Sequence, residues 1–296
     1  MGNFIGHVLP GCFFFIFGLW WIIRCSFIYY RGAGVSRSGS IRLWLPLRCC
    51  RRSERALVRF SYEGLIIIVC TLVGIVGELT WGDWQLVARD GHGHHAHFVH
   101  LNNFEHATMF SLFFIVGLIT VIESMVSSSL QFPVGIDKLA LALAYAVEGL
   151  LFFYHLDGRP GMDVRLHELL IYAILGCVGA VLLEIAFPTS LLCIIARSFC
   201  SLLQGSWFFQ IAHVLYGSSP WEETDENSGF VVLAFCWHIL GISMGSLVLF
   251  LCVSCVVSKC CDHRAASRNG WTKKECKEEE SPMLQLQDQQ EESSTV

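Results

Sequence analysis

Seven stretches of this chain stay apolar for about 20 residues or longer, at 8–30, 60–82, 105–127, 135–156, 165–187, 190–216 and 229–257. A run of that length crosses the hydrocarbon of a bilayer as one helix, because in lipid a single segment satisfies all its backbone N–H and C=O groups only by helix formation. The pattern therefore predicts an all-α membrane protein, a seven-transmembrane helix bundle over residues 1–257. The first run has no basic segment ahead of it and no small-x-small cleavage site, so it reads as a retained anchor. The remainder, 258–296, is polar and acidic, with Lys277-Glu278-Glu279-Glu280 and a run from Gln285 to Glu292. It has too little apolar surface to fold alone and is expected to be a disordered tail.

The distribution of charge orients these spans. Between the first and second lie Arg31, Arg37, Arg42, Arg48, Arg51, Arg52, Arg55 and Arg59, against one acid, Glu54. Arginine-rich short loops stay cytosolic. Alternation then places 83–104, 157–164 and 217–228 outside: the first has only Arg89 as a strong base, the last carries Glu222, Glu223, Asp225 and Glu226, and the middle one runs mildly against the rule, with Arg159 and Arg165 beside Asp157 and Asp163. The tail, opening with Lys259, Arg264 and Arg268, returns to the cytosol. The expected topology is N-terminus outside or lumenal, C-terminus cytosolic.

Composition agrees: 54% of the residues are hydrophobic and 15% charged, well under the quarter or so usual in soluble domains. The net charge of -5 says little, since bases crowd early and acids late. None of the 14 cysteines falls in the segments assigned outside, so a disulfide framework is not expected. A soluble nuclease, kinase or dehydrogenase has no support: the chain lacks a phosphate loop, a dinucleotide fingerprint and a Gly-x-Ser-x-Gly elbow. No nucleic acid is expected as a partner; the bilayer is.

Ionisable groups at membrane depth are costly, about 2.5–3.5 kcal/mol each on insertion scales, and so point to function or to a buried partner. Most fall in the outer halves of the spans. His7 opens the first; Glu78 lies one turn inside the outer end of the second; Asn103 and His106 share a helical face at the start of the third. Glu148 and His155 lie two turns apart on the fourth, His167 opens the fifth, and Gln210 with His213 closes the sixth. His238, nine residues into the seventh, reaches about 14 Å deep at 1.5 Å per residue. An outward pocket lined by Glu78, Asn103, His106, Glu148, His155, Gln210 and His238 would gather them. His7, His167 and His213, at helix ends, read more simply as interface residues bonding neighbouring helices. Glu123 and Glu184 lie in the inner half, outside this set. Gly74, Gly77, Gly176, Gly179, Gly241 and Gly245 read as small residues that let spans pack.

Imidazole and carboxylate suit zinc, which makes zinc a possible cofactor held by His106, His155 and His238, with Glu148 as the base of a hydrolase. The seven-span zinc hydrolases of the alkaline ceramidase and adiponectin-receptor superfamily usually carry a His-x-x-x-His pair on their last span, and here that span has His238 alone. A non-catalytic pocket for a small ligand, proton or metal ion is therefore preferred. The alternatives are a membrane-embedded metal-dependent hydrolase of lipid or acyl substrates, and a trafficking or scaffold protein acting through its tail.

Three further signals lie in the loops. His92, His94, His95, His97 and His100 form an outside run of the kind that holds zinc or copper loosely. Cys49-Cys50 and Cys260-Cys261, beside bases at the cytosolic face, are palmitoylation candidates. The C-terminal Ser294-Thr295-Val296 fits a PDZ groove, which would make a cytosolic PDZ protein a partner.

Several blocks resemble a known family. Met1-Gly2-Asn3-Phe4, His7, Leu9-Pro10-Gly11 and Gly18-Leu19-Trp20-Trp21, then Glu148-Gly149 with Phe153-Tyr154-His155, Leu203-Gln204-Gly205-Ser206-Trp207-Phe208-Phe209-Gln210-Ile211, and Cys236-Trp237-His238 look like the transmembrane protein 45 family. The resemblance runs in order from residue 1 to about residue 257. It implies a seven-span protein of Golgi, endosomal or plasma membranes, and no reaction. The arginine-rich first loop, the histidine run and the tail depart from the family pattern.

Overall fold

Where the chain is apolar it is helical. The structure, a computed structural model, describes residues 4–30, 61–89, 96–125 and 133–257. Seven helices form among them: α1 (Phe4–Tyr30), α2 (Tyr62–Trp81), α3 (Leu101–Met125), α4 (Ile136–Tyr154), α5 (Gly161–Ala186), α6 (Leu191–Tyr216) and α7 (Asp225–Val257). Local chemistry sets several ends. The Ser61 hydroxyl accepts from the Gly64 N–H at 3.2 Å, which caps α2. At α3 the His100 carbonyl accepts from the Asn103 N–H at 3.0 Å. Between α2 and α3 the chain makes a short antiparallel hairpin, β1 (Val87–Arg89) on β2 (Ala96–Phe98), with Val87 opposite Phe98. The apolar pattern predicts no strands there.

Sequential helices run antiparallel and pack as neighbours: α2 on α3, α3 on α4, α4 on α5, α5 on α6, with α1 returning against α6. One end of the bundle, the hairpin end, joins the starts of α1, α3 and α5 to the ends of α2, α4 and α6. The other, the far end, joins the start of α2 to the end of α3, where the Ser61 N–H donates to Ser124 Oγ at 3.1 Å. α7 lies along α6 through Phe235 on Trp207, ring centroids 4.9 Å apart, and reaches Tyr30 of α1 through Phe250 at 4.9 Å.

Six of the helices are long and apolar enough to cross a membrane. α4 is the exception among the expected seven spans, since its 19 residues carry Asp137, Lys138 and Glu148. All three charges turn inward or stay half-buried, while Leu139, Leu143, Leu150 and Phe153 form an exposed apolar face. That arrangement suits lipid outside and polar bonding inside. α7 likewise exposes Leu240, Met244, Leu247 and Leu251. The core between the helices holds Trp207, Tyr145, Phe208, Leu166, Leu170 and Ile174, all fully buried.

The closest helix crossing is α1 on α6, and glycine makes it possible. A Cβ on Gly205 would stand 2.4 Å from the Phe15 backbone nitrogen, and one on Gly18 would stand 2.8 Å from the Leu202 nitrogen. These are not the glycines that the sequence reading singled out. Of those, Gly74 does lie under the Phe110 ring and Gly176 against Cys200. Gly77, Gly179, Gly241 and Gly245 have nothing within 4 Å of the Cβ position among the described residues, so they pack nothing there.

A buried ion network ties the helices at the far end. Glu63 of α2 accepts from Trp21 Nε1 at 2.6 Å and pairs with Arg24, both on α1. Arg197 of α6 donates to Glu184 of α5 at 2.7 Å and lies 3.9 Å above the Trp21 ring centroid. Lys138 of α4 joins through Asp137 at 2.7 Å and Glu184 at 3.7 Å. Removing Arg197 would leave the buried Glu184 with only the more distant Lys138, and loss of the partner in a buried pair costs about 3–5 kcal/mol.

Candidate functional site

A cavity opens at the hairpin end among α1, α3, α4 and α6. Its wall comprises Gly6, His7, Pro10 and Phe14 of α1; His106, Met109, Phe110 and Phe113 of α3; Glu148 and Phe152 of α4; and Phe208 of α6. The space between these atoms, including the mouth, is about 430 Å³. Helical periodicity places each group. On α1, residues 7, 10 and 14 share one face; on α3 so do 106, 109, 110 and 113; on α4, residues 148 and 152 are one turn apart. The rings interlock around it: Phe14 stacks on Phe208 at 5.9 Å with planes 7° apart and meets Phe113 edge-on at 5.5 Å.

Glu148 is the one carboxylate on this wall. It is 2% exposed, its Oε1 accepts from Gln204 Nε2 at 2.8 Å, and its Oε2 has no partner. Gln204, fully buried, also accepts from the Cys177 thiol at 3.4 Å, so its own orientation is fixed from both sides. Leaving a buried acceptor unpaired costs about 1–3 kcal/mol, more for a charged group.

The other polar groups at this end form two bonded sets. In the first, Glu78 of α2 accepts from Asn103 Nδ2 at 2.8 Å and holds His106 Nδ1 at 3.1 Å. This presents the His106 ring to the cavity. In the second, Glu105 holds His155 Nδ1 at 3.0 Å, Arg159 bonds the other ring nitrogen of His155, and Arg159 donates to Asp163 Oδ2 at 2.9 Å. Asp163 Oδ1 lies 2.7 Å from His167 Nδ1, and His167 Nε2 lies 3.5 Å from His7 Nε2. The His106 and His155 ring centroids are 6.1 Å apart, bringing the two sets side by side.

Of the seven residues expected to line a pocket, Glu148 and His106 are on the cavity wall. Glu78 and Asn103 stand behind His106, and His155 behind it in the second set. Gln210 is half-buried and off the wall, six residues beyond Gln204. His238 is also off the wall: its Nδ1 bonds Ser206 Oγ at 3.0 Å and its ring meets Trp207 edge-on at 5.3 Å. His238 therefore does not join His106 and His155, and no group of three or more His, Cys, Asp or Glu among the described residues is placed to hold a metal ion. His97 and His100 are exposed at the hairpin, while His92, His94 and His95 lie outside the described residues. So do Cys49, Cys50, Cys260, Cys261, Ser294 and Val296.

Several contributors were not singled out from the sequence. His7, read as an end residue, is a cavity wall residue packed on Tyr216 at 5.2 Å. Gln204 is a lone amide in mid-span, and its depth was a usable signal. Glu105, Arg159 and Asp163 take part in a network only partly legible along the chain: residues 155, 159, 163 and 167 fall four apart, but Glu105 and His7 join from other helices. The aromatic wall was invisible for a simpler reason: phenylalanine is abundant throughout the chain, with 22 residues.

The comparisons with known proteins agree with a membrane bundle. The family described as "Family of unknown function (DUF716)" matches residues 134–251, from the start of α4 into α7. Transmembrane epididymal protein 1 of Rattus norvegicus is 27% identical over 252 residues, 81% of this chain and 77% of its own length. Transmembrane epididymal protein 1A of Mus musculus is 26% identical over the same shares of the two chains. The Homo sapiens transmembrane epididymal protein 1 is 27% identical over 211 residues, 67% of this chain and 74% of its own.

Proposed function

We propose that this chain, a multi-pass membrane protein matched over residues 134–251 by the DUF716 family and similar to the transmembrane epididymal proteins, is a ligand-binding member of that family. On this reading it crosses the bilayer seven times, N-terminus outside, and takes up a small ligand in an outward-facing cavity without turning it over. The observation that carries the reading is Glu148, a carboxylate in mid-bundle with one oxygen unpartnered on a cavity wall. Such groups are expensive at membrane depth and mark sites by default. Support for the outward orientation comes from the eight arginines between the first two helices. Golgi, endosomal or plasma membrane is the expected residence, by family resemblance.

The test is access. In the variant Met109→Cys the new thiol would stand on the cavity wall, and peptide mapping by mass spectrometry distinguishes it from the native cysteines. A membrane-impermeant methanethiosulfonate reagent applied from the outside of intact cells expressing the protein at their surface should modify Cys at 109. Modification only after the inner face is opened would sink the outward pocket.

A further inference from the structure

Five carboxylates are buried among the described residues: Glu78, Asp137, Glu148, Asp163 and Glu184. Four of them have a basic partner: His106 for Glu78, Lys138 for Asp137, Arg159 and His167 for Asp163, Arg197 for Glu184. Glu148, the most deeply buried of the five, has only the neutral amide of Gln204. Nor do the two imidazoles on the same wall serve it, since His106 is bonded to Glu78 and His7 faces His167 and Tyr216. Among the described residues, Asp137, Asp163 and Glu184 thus have a Lys or Arg partner and Glu78 an imidazole, whereas Glu148, on the cavity wall, has neither.

The rest of the wall tells what kind of cation would complete it. Phe14, Phe113, Phe152 and Phe208 line the same cavity as the carboxylate, and aromatic faces attract cations, ammonium groups included. An inorganic ion would need several oxygen ligands, which phenyl rings do not provide. We infer that the cavity is a receptor site for a small organic amine, its ammonium donating to Glu148 Oε2 and its apolar body lying among the phenylalanine rings. This rests on the reading of the cavity as a ligand pocket and adds the ligand's class. Because Oε2 accepts hydrogen bonds, a primary or secondary amine is favoured over a quaternary ammonium. A carboxylate ligand is rejected by charge.

The experiment uses the full chain in phosphatidylcholine nanodiscs, with 2-phenylethylamine, its neutral isostere 2-phenylethanol and its trimethylammonium derivative as probes. Binding is read by ligand-observed NMR. The amine should bind about tenfold or more tightly than the alcohol, a difference of about 1.4 kcal/mol, with the trimethyl derivative between them. Glu148→Gln, which keeps an acceptor for Gln204, should erase the preference; Phe152→Leu should weaken amine and alcohol alike. Equal binding of amine and alcohol, unchanged in Glu148→Gln but weakened in Phe152→Leu, would overturn the amine and leave the pocket standing. No binding of any probe also overturns the amine site, and the Met109→Cys labelling then judges the pocket separately. Stearylamine doped into the bilayer, compared with stearyl alcohol, separates a lipid-borne amine from a free one: competition by the first alone identifies a lipid source. Either source supports the amine site.

Discussion

At the scale of single residues, the behaviour of Glu148 follows from its one bond. Gln204→Leu removes the sole donor to a buried carboxylate and should lower stability by about 1–3 kcal/mol. Adding Glu148→Leu to that variant replaces both partners with apolar groups and should restore part or all of the loss, since such paired replacement is close to neutral. Melting in detergent measures this, and a double variant less stable than Gln204→Leu alone would disprove the coupling. Arg197 makes the opposite case at the far end. Its guanidinium holds Glu184 and covers Trp21, so Arg197→Met should cost about 3–5 kcal/mol. A thermal midpoint close to that of the unaltered protein would mean that Lys138, 3.7 Å from Glu184, takes over the carboxylate. Zinc makes a third expectation. With His238 bonded to Ser206 and away from His106 and His155, a chelator that strips any metal from the histidine run should leave the melting temperature unchanged. A fall on chelation would restore the metal centre.

At the scale of elements, the bundle depends on which glycines sit at crossings. Leucine at Gly205 would drive a side chain into the Phe15 backbone, where neither helix can yield, and Gly205→Leu should separate α1 from α6. Gly179→Leu, on an exposed face of α5 with nothing within 4 Å of its Cβ position, should be harmless or slightly stabilising, by up to about 1 kcal/mol of helix propensity. Size-exclusion profiles and melting of the two variants side by side settle the contrast; equal damage from both would refute it. The sequence marks all these glycines alike, because spacing alone does not say which helix faces which. α4 shows the same limit from the other direction. Its length and apolar average were readable, but that its three charges turn away from its leucine face depends on partners in α5 and α6.

At the scale of the whole molecule, topology is the testable quantity. Tags at the C-terminus and within residues 90–97 should fall on opposite sides of the membrane. With the protein at the cell surface, the tag in 90–97 should stain on intact cells and the C-terminal tag only after permeabilisation. A C-terminal tag stained without permeabilisation would reverse the bundle and turn the cavity mouth toward the cytosol. The expected acylation of Cys49-Cys50 and Cys260-Cys261 and the expected capture of the terminal Ser-x-Val by a PDZ protein require the same orientation.

Apolar run length by itself determined the helices to within a few residues, because backbone polar groups in lipid leave no other solution. Local sequence likewise determined that most histidines of the spans lie toward one end, since each helix alternates direction and position along it converts directly to depth; the charges of Arg24, Glu63, Asp137, Lys138, Glu184 and Arg197 meet at the other. What only the tertiary structure decided was rotation about each helix axis and which helices touch. His106 and Glu148 meet one cavity while His238, at a similar expected depth, turns to Ser206 and Trp207. His7 becomes a wall residue only because α1 returns against α6. Depth is a one-dimensional property and can be counted along the chain. Facing is set by side chains of other helices more than 50 residues away, such as Gln204 for Glu148, and no count along the chain contains it.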